Sequence, residues 1–240
     1  MQKKNFKIFV DFDGTITKED VGEGIFRKFG KPEIVNKVID DLLNDRISSR
    51  ECWEVLCEST RIVDQTELNN FIDKIEIEED FSEFIDFCQG NEFEIFVLSD
   101  GFDYYLKKIF ERENLTDLKY FANTLEVKNG KLIPSFPYFR ADFVSSANCK
   151  RDHIINNSSD DDYTVFIGDG NSDKDAVLYS DFIFAKNDLL RFCEMERITY
   201  FPFKNFYDVI NRLEELMNKK RLKKRHQAQL KRREAYIVEH

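Results

Sequence analysis

The spacing of apolar positions changes along this chain and predicts which segments are strands and which are helices. Mostly apolar runs lie at 6–10, 93–98 and 163–167, with the sequences "FKIFV", "FEIFVL" and "YTVFI". Runs of this length, rich in β-branched and aromatic residues, are typical of buried strands. Elsewhere apolar residues recur at helical spacing, as at Ile34 and Val38, which predicts helices. Strands that alternate with helices indicate an α/β fold with a parallel sheet.

A helical block follows the first predicted strand. It contains three helix-start signals of the form Ser/Asp-x-x-Glu, the first at Ser48 and the last at Asp80. In such signals the first side chain and the glutamate cap the N-terminus of a helix. We therefore expect a core domain formed by residues 1–16 and 91–216, and a helical cap at 17–90.

Two further segments stand outside this alternation. Residues 121–136 read as two strands around Asn129-Gly130, a residue pair typical of hairpin turns. Residues 217–240 form a basic C-terminal helix or tail, with nine Lys/Arg and one Glu between 217 and 234, although the whole chain carries a net charge of −10. This basic segment could bind an anionic partner or a membrane surface, or it could be a solvated helix docked on the acidic body.

The composition narrows the classes of function. The acidic body argues against broad nucleic-acid binding. No apolar stretch approaches the roughly 20 residues of a membrane span, and the N-terminus does not resemble a signal peptide. Five scattered cysteines without a CxxC pair are typical of a reducing compartment, so we expect a cytoplasmic protein.

The three predicted buried strands end in acidic, hydroxyl and glycine residues. The first is followed by Asp11 and Asp13 in "DFDGT", the second by "SDG" at 99–101, and the third by Asp169 and Asp173 in "GDGNSD". Ligands of open α/β sheets bind at the carboxyl ends of the strands. We therefore expect these polar residues to line one crevice.

Four carboxylates in one crevice repel each other and need a cation. The available ligands are oxygens, without His or Cys, which suits Mg²⁺ or Ca²⁺; Mg²⁺ typically also holds a substrate phosphate. Ser99, the N–H groups around Gly101 and Lys150 offer donors and positive charge to an anion. A metal, a carboxylate nucleophile, a proton donor and an anion clamp together predict a phosphoryl-transfer site.

The order Asp-x-Asp-Gly-Thr, Ser, Lys and Gly-Asp-x-x-x-Asp resembles the four motifs of the haloacid dehalogenase superfamily of phosphohydrolases. The helical block after the first motif is similar to the cap of its phosphoserine-phosphatase-like branch. "DFDGTITKED", "SDGFDYYL" and "FPFKNFYDV" most resemble the methionine-salvage phosphatases that act on 2-hydroxy-3-keto-5-methylthiopentenyl 1-phosphate. The resemblance implies a Rossmann-like, doubly wound parallel sheet with a cap inserted after the first strand.

The resemblance also implies roles for the first and last motifs. Asp11 would be the nucleophile that forms an aspartyl-phosphate. Asp13 would protonate the leaving alkoxide as general acid and then activate water as general base. Mg²⁺ would be held by Asp11, the backbone carbonyl of Asp13, and Asp169.

The middle motifs would bind the phosphoryl group. The resemblance assigns this role to Ser99, the Gly101 amide and Lys150, and Asp100 lies within the same phosphate-binding segment. Asp173 would not bind the metal directly; it would orient a metal-bound water or Lys150.

Two positions depart from the pattern of that family. Asp100 stands where many relatives have glycine, and Ser172 where they often have asparagine. A carboxylate close to a phosphate dianion is unfavourable unless it points away or meets a cation. Asp20 falls where phosphoserine-type relatives carry an acidic substrate contact, so it is a candidate contact with substrate.

Three hypotheses of function follow from the sequence. The first is Mg²⁺-dependent hydrolysis of a small phosphorylated metabolite, either in methionine salvage or on phosphoserine or a phosphorylated amino alcohol. The second is a catalytically silent domain that binds a phosphorylated ligand or protein. The third is a phosphotransferase whose acceptor is not water. The sequence leaves the exact substrate and the oligomeric state open.

Overall fold

The computed structural model describes residues 4–239, apart from the side chains of 238 and 239. Within this range a single sheet contains seven strands. The strands are β1 (Phe6–Asp11), β2 (Glu94–Phe102), β3 (Lys119–Lys128), β4 (Lys131–Ser135), β5 (Tyr163–Gly168), β6 (Phe182–Ala185) and β7 (Phe201–Pro202).

The described range also contains eleven α-helices and a short 3₁₀ helix at Asn171–Asp173. The α-helices are α1 (Val21–Phe29), α2 (Pro32–Leu43), α3 (Ser49–Ser59), α4 (Gln65–Ile72), α5 (Phe81–Gly90), α6 (Asp103–Arg112), α7 (Lys150–Asn156), α8 (Lys174–Leu178), α9 (Asn187–Met195), α10 (Phe206–Asn218) and α11 (His226–Glu239). None of the helices between residues 4 and 239 is long and apolar enough to cross a bilayer.

The sheet has the strand order β4-β3-β2-β1-β5-β6-β7. All neighbouring strands pair in parallel except β3 and β4. In the centre, Val10 of β1 lies opposite Val97 of β2 and Ile167 of β5, so the three strands end close together. The sheet confirms the predicted α/β, doubly wound fold class.

Apolar side chains cover both faces of the sheet. Ile8 and Val10 of β1 point into a large cluster that continues under the cap, whereas Phe9 points into a smaller cluster with α7 and α8. Phe9 stacks on Phe96 of the neighbouring strand, with 5.2 Å between the ring centroids. Because successive strand residues alternate between faces, β1 is buried on both sides and its C-terminal end is held rigidly.

Helices α1–α4, which we call the cap, follow β1 directly. Helix α3 begins with the predicted capping box, in which Ser48 and Glu51 exchange hydrogen bonds. The box predicted at Asp80 is wrong. The carboxylate of Asp80 instead accepts a hydrogen bond from the backbone N–H of Tyr207, at 3.0 Å, and does not cap α5.

Helix α5 packs on β2 of the sheet and on helix α10. Phe81 and Phe84 of α5 each lie 5.0 Å from the ring of Phe206 on α10. The sequence assigned this helix to the cap segment 17–90, and the aromatic contacts show that it also forms part of the core packing.

The hairpin predicted at 121–136 is present as β3 and β4. Asn129 and Gly130 have φ values of 51° and 75°, the left-handed conformations that a tight hairpin turn requires. The carbonyl of Gly130 accepts a hydrogen bond from the N–H of Val63, at 2.8 Å. The hairpin tip is therefore attached to the loop between α3 and α4 of the cap.

The basic C-terminal segment is partly docked on the core. Helix α11 packs against α7 and α8. The guanidinium of Arg232 is buried; it pairs with Asp181, at 3.0 Å, and donates to the hydroxyl of Thr164, at 2.9 Å. Most other basic side chains of the segment remain exposed. The docked-helix alternative is thus confirmed for the part around Arg232.

Removal of Arg232 is expected to destabilise the protein strongly. Arg232→Ala leaves the carboxylate of Asp181 buried without its cation, which costs about 3–5 kcal/mol. The matched control is Arg233→Ala, because Arg233 pairs with Asp160 at the surface, where both side chains are more than half exposed; its loss costs at most about 1 kcal/mol. Urea denaturation measures both free energies of unfolding, and equal losses would contradict the buried pairing.

Candidate active site

Three carboxylates meet at the carboxyl edge of the sheet. Asp11 ends β1, and the loop after β5 carries Asp169 and Asp173. One oxygen of each carboxylate lies within 4.8 Å of the others. Gly14, with a φ of 77°, turns the chain away from β1, and a side chain at this position would collide with Asp169. The fold therefore brings the three carboxylates together at the strand ends, where the sequence predicts them.

Lys150 is the cation of this cluster. Its ammonium lies 2.5 Å from Asp11, 2.6 Å from Asp173 and 3.1 Å from the hydroxyl of Ser172, and its side chain is fully buried. Burial opposes the charge of Lys150, but the carboxylates of Asp11 and Asp173 outweigh burial and raise its pKa. Lys150 is therefore held as an ammonium against the carboxylate of Asp11.

The negative charge of the cluster exceeds the charge that Lys150 supplies. Burial, followed by the charge of Asp173, raises the pKa of Asp11 well above its usual range, although Lys150 acts in the opposite direction. Burial and Asp173 likewise raise the pKa of Asp169 to about 6. A donor set of closely spaced carboxylate oxygens, without His or Cys, fits Mg²⁺.

Asp173 differs from the other two carboxylates because it bonds to both Lys150 and the backbone of the loop that carries Asp169. One of its oxygens accepts from Lys150, and the other accepts from the backbone N–H groups of Asp169 and Gly170, each at 3.0 Å. Asp173 therefore orients Lys150 and the loop that carries Asp169. Asp11 and Asp169 remain the pair that the family resemblance assigns to the metal, and Asp169 already accepts weaker bonds from Thr15, at 3.3 Å, and Asn187, at 3.1 Å.

Asp13 lies beside the carboxylate cluster, in the segment that joins β1 to the first cap helix, α1. Its carboxylate accepts hydrogen bonds from the N–H of Val21 at 3.1 Å, the hydroxyl of Ser99 at 2.9 Å and the phenol of Tyr105 at 3.1 Å. Burial raises the pKa of Asp13, although these hydrogen bonds oppose the rise. A carboxyl group in this environment can hold a proton and deliver it to a neighbouring oxygen.

The segment at 99–101 is arranged around Asp13 and the cap. The hydroxyl of Ser99 donates to Asp13 and accepts from the N–H of Gly101, at 2.9 Å. The carboxylate of Asp100 is directed to Ser49 and Trp53 of the cap and to the residues that precede Lys150. The extra carboxylate is thus occupied by hydrogen-bond donors.

A cavity of about 870 Å³ separates the carboxylate cluster from the cap. Asp20 opens onto this cavity and also caps helix α1, because its carboxylate accepts from the N–H of Glu23, at 2.7 Å. Loss of hydration beside the surrounding protein, followed by the negative charge of Asp13, raises the pKa of Asp20. The cap side of the cavity is mixed: it presents apolar residues, among them Ile39, Leu42, Ile47, Trp53 and Leu56, together with charged residues such as Asp45, Arg46 and Glu51.

Comparison of the sequence with known protein families identifies the family to which the chain belongs. The model of the haloacid dehalogenase-like hydrolases matches residues 8–177, a span that includes every motif residue described above. The chain belongs to the haloacid dehalogenase-like hydrolases. This finding confirms the family resemblance that the sequence motifs indicated.

Named relatives of this haloacid dehalogenase-like hydrolase are phosphatases. A protein from Bacillus mycoides (strain KBAB4), named 2-hydroxy-3-keto-5-methylthiopentenyl-1-phosphate phosphatase, is 30% identical over 219 residues, which cover 90% of this chain and 99% of the relative. A protein of the same name from Bacillus cereus (strain ATCC 10987 / NRS 248) is 29% identical over 224 residues, with the same coverage.

Solved structures share the fold of this haloacid dehalogenase-like hydrolase. A phospho-aspartyl intermediate analogue of phosphoserine phosphatase aligns with a TM-score of 0.66 at 22% identity, covering 88% of this chain and 99% of that one. A hydrolase of the same family from Salmonella enterica subsp. enterica serovar Typhi aligns with a TM-score of 0.68 at 15% identity, covering 91% and 72%. Both confirm the α/β core with its inserted helices.

Sequence reasoning missed two contacts at the site. Tyr105 donates to Asp13, and Trp53 donates to Asp100, at 3.4 Å. Both residues fit the apolar stripe of a helix, so their spacing indicates core packing rather than a polar contact. The only available signal was the presence of Tyr105 in the segment "SDGFDYYL", which carries the second motif.

His153 lies on α7, behind Lys150. Its ring stacks on Phe121, with 4.1 Å between centroids, and its Nε2 lies 2.6 Å from Oδ1 of Asn148. Burial, followed by the charge of Lys150, lowers the pKa of His153 from 6.5 to about 3. The imidazole is therefore neutral in the folded protein at any pH near neutrality.

The depressed pKa of His153 is expected to make the protein less stable in acid. Below pH 6.5 the unfolded chain takes up a proton that the folded state accepts only near pH 3, so stability falls as the pH falls through this window. At pH 5 the loss amounts to about 2 kcal/mol. Urea denaturation at pH 7 and pH 5 should show a smaller acid loss for His153→Asn than for the wild type. Parallel losses in the two proteins would contradict the assignment.

Proposed function

We propose that this chain is a Mg²⁺-dependent phosphomonoester hydrolase of a small phosphorylated metabolite, which acts through an aspartyl-phosphate on Asp11. The observation that carries the proposal is the position of Asp11. Its carboxylate contacts Lys150, lies within 4.8 Å of Asp169 and Asp173, and forms the floor of the cavity beneath the cap. A nucleophile, a fixed cation and a metal-binding pair of carboxylates thus meet at one point.

In the first step a carboxylate oxygen of Asp11 attacks the phosphorus atom. The new bond joins Asp11 to phosphorus while the bond from phosphorus to the alkoxide oxygen breaks. Asp13 donates its proton to this leaving oxygen. Lys150 balances negative charge on Asp11 and on the phosphoryl oxygens. Mg²⁺, held by Asp11 and Asp169, would supply further positive charge to the phosphoryl group.

In the second step Asp13 takes a proton from water as the water oxygen attacks phosphorus. The bond between Asp11 and phosphorus breaks, inorganic phosphate leaves, and both carboxyl groups return to their starting states. Ser99 and Tyr105 hold Asp13 in one orientation throughout, since both donate to the same oxygen of its carboxylate. The Ser99 hydroxyl is therefore committed to Asp13, and the N–H of Gly101 donates to Ser99.

We further propose that the substrate is 2-hydroxy-3-keto-5-methylthiopentenyl 1-phosphate. The relatives that carry this activity in their names align over nearly their whole length. The apolar residues on the cap side of the cavity suit a substrate with an apolar end, and Asp20 could accept from a substrate hydroxyl. Phosphoserine is the second candidate, favoured by the fold likeness to phosphoserine phosphatase. All five cysteines are free and buried, which supports a reducing cytoplasmic location.

The test is phosphate release from the methylthiopentenyl ester, O-phosphoserine and p-nitrophenyl phosphate, each with Mg²⁺ and with EDTA. We expect Mg²⁺-dependent turnover, with the highest kcat/KM for the methylthiopentenyl ester. A preference for O-phosphoserine would select the second candidate. Phosphoryl transfer to an added alcohol would indicate a phosphotransferase. No release from any ester by folded protein would support the silent binding domain instead.

A further inference from the structure

Asp100 is a charged residue inside the phosphate-binding segment, and its carboxylate has an unusually complete set of donors. It lies between Ser99 and Gly101, at the carboxyl end of β2. Four groups donate to its two oxygens: the hydroxyl of Ser49, the indole N–H of Trp53, and the backbone N–H groups of Ala147 and Asn148. The single hydroxyl proton of Ser146 is shared between Asp100 and the carbonyl of Asn148.

The two oxygens of Asp100 serve different parts of the protein. Oδ1 accepts from the segment 146–148, at 2.6 Å from the Ser146 hydroxyl, 2.5 Å from the Ala147 nitrogen and 2.9 Å from the Asn148 nitrogen. Oδ2 accepts only from cap helix α3, through Ser49 and Trp53, among the residues that the structure describes. One carboxylate therefore joins the cap to the core.

The segment 146–148 leads directly into the catalytic lysine, because α7 begins at Lys150. The side-chain amide of Asn148 donates to the carbonyls of Ser99 and Phe121, at 2.8 and 2.9 Å. These bonds fix the segment to β2 and β3. A backbone bond from Ser49 to the carbonyl of Val144, at 3.0 Å, joins the same loop to the cap a second time.

We propose that Asp100 is a positioning residue that couples the position of the cap to the alignment of Lys150 on Asp11. With the cap in place, Ser49 and Trp53 hold the carboxylate away from the cavity, and the same carboxylate holds the segment that carries Lys150. Without the cap contacts, Oδ2 loses both donors, and a free carboxylate next to the phosphate site repels a phosphate dianion. A ligand that binds better when the cap is seated shifts the equilibrium toward the seated cap. Because Asp100 joins the cap to the segment before Lys150, the same ligand also favours an aligned Lys150.

Asp100→Asn weakens the bonds of residue 100 to cap helix α3 while it keeps the bonds to the segment 146–148. An amide has one accepting oxygen, and the backbone N–H groups of Ala147 and Asn148 retain it. The NH₂ group then faces the indole N–H of Trp53, so the bond to Trp53 is lost, whereas the Ser49 hydroxyl can turn and accept from the amide. The matched control is Asp103→Asn, because the carboxylate of Asp103 serves Leu125 and Lys107 and contacts neither the cap nor the segment 146–148. Ser146→Ala weakens the link from the other side.

Tryptophan fluorescence reports on the link without any enzymatic activity, since Trp53 is the sole tryptophan of the chain. Asp100→Asn is expected to shift the emission of Trp53 to the red and to increase its quenching by acrylamide. Ser146→Ala, which does not contact Trp53, is expected to change both in the same direction, and Asp103→Asn to change neither. Wild-type emission and quenching in both Asp100→Asn and Ser146→Ala would overturn the proposal. Thermal melts verify that each variant is folded.

The kinetic consequence of the link rests on the proposed function. With p-nitrophenyl phosphate and Mg²⁺, Asp100→Asn is expected to raise KM about tenfold, because loss of the bond between Asp100 and Trp53 destabilises the seated cap by about that factor, and to lower kcat as well. A role in stability alone would lower the apparent kcat and leave KM unchanged, and that result would overturn the coupling. If the wild type released no phosphate, the proposed function would fail, and the fluorescence comparison would still decide the role of Asp100.

Discussion

Asp11→Asn is expected to lose about 10⁴-fold or more in phosphate release while the protein remains as stable as the wild type. An amide cannot attack phosphorus, and removal of a nucleophile typically has an effect of this size. Stability is retained because burial and the repulsion from Asp173 both disfavour the charge of Asp11, and their removal offsets the loss of its attraction to Lys150. Steady-state kinetics and urea denaturation measure the two quantities.

The control for this prediction is Asp45→Asn. Asp45 lines the same cavity on the cap side, and its φ of 54° is one that asparagine adopts readily. We expect near wild-type turnover from this variant. Activity in Asp11→Asn within tenfold of the wild type would rule out an aspartyl-phosphate on Asp11.

Lys150→Met is expected to impair both catalysis and folding. The change leaves Asp11 and Asp173 buried without their shared cation, which costs about 3–5 kcal/mol of stability. Turnover should fall about 10³-fold, because a fixed positive charge is lost at the phosphoryl group. Added Mg²⁺ should raise the melting temperature of Lys150→Met more than that of the wild type, since a cation that binds the folded state stabilises it.

The matched control is Lys174→Met, because Lys174 also lines the cavity but its ammonium lies over the ring of Phe192 and not on the carboxylate cluster. We expect its stability to change by less than about 1 kcal/mol. If Lys150→Met matched this control in both stability and turnover, Lys150 would not be the charge that balances Asp11.

The parts of the fold that the sequence predicts best are those with a strong local pattern. The runs at β1, β2 and β5 are mostly apolar and end in turn residues, so both the strands and the shared edge of their polar ends follow from the sequence. The turn at Asn129-Gly130 is equally local, because only these residue types adopt its backbone conformation readily.

The features that the sequence does not predict depend on contacts between distant segments. The carboxylate of Asp80 has a local partner available in its own helix, yet it bonds to Tyr207, which lies 127 residues away. The direction of the Asp100 side chain is set by Ser49 and by the segment 146–148, far from it in sequence. Local spacing carries no information about such competition, which is resolved only when the chain packs.

The most direct test of the central claim is to trap the phosphorylated enzyme. Wild-type protein is mixed with Mg²⁺ and p-nitrophenyl phosphate, quenched in acid during turnover, digested and analysed by mass spectrometry. The account predicts one phosphoryl group on the peptide that contains Asp11, and none in Asp11→Asn. Phosphorylation of a different residue, or rapid turnover with no phosphorylated peptide at any quench time, would contradict it.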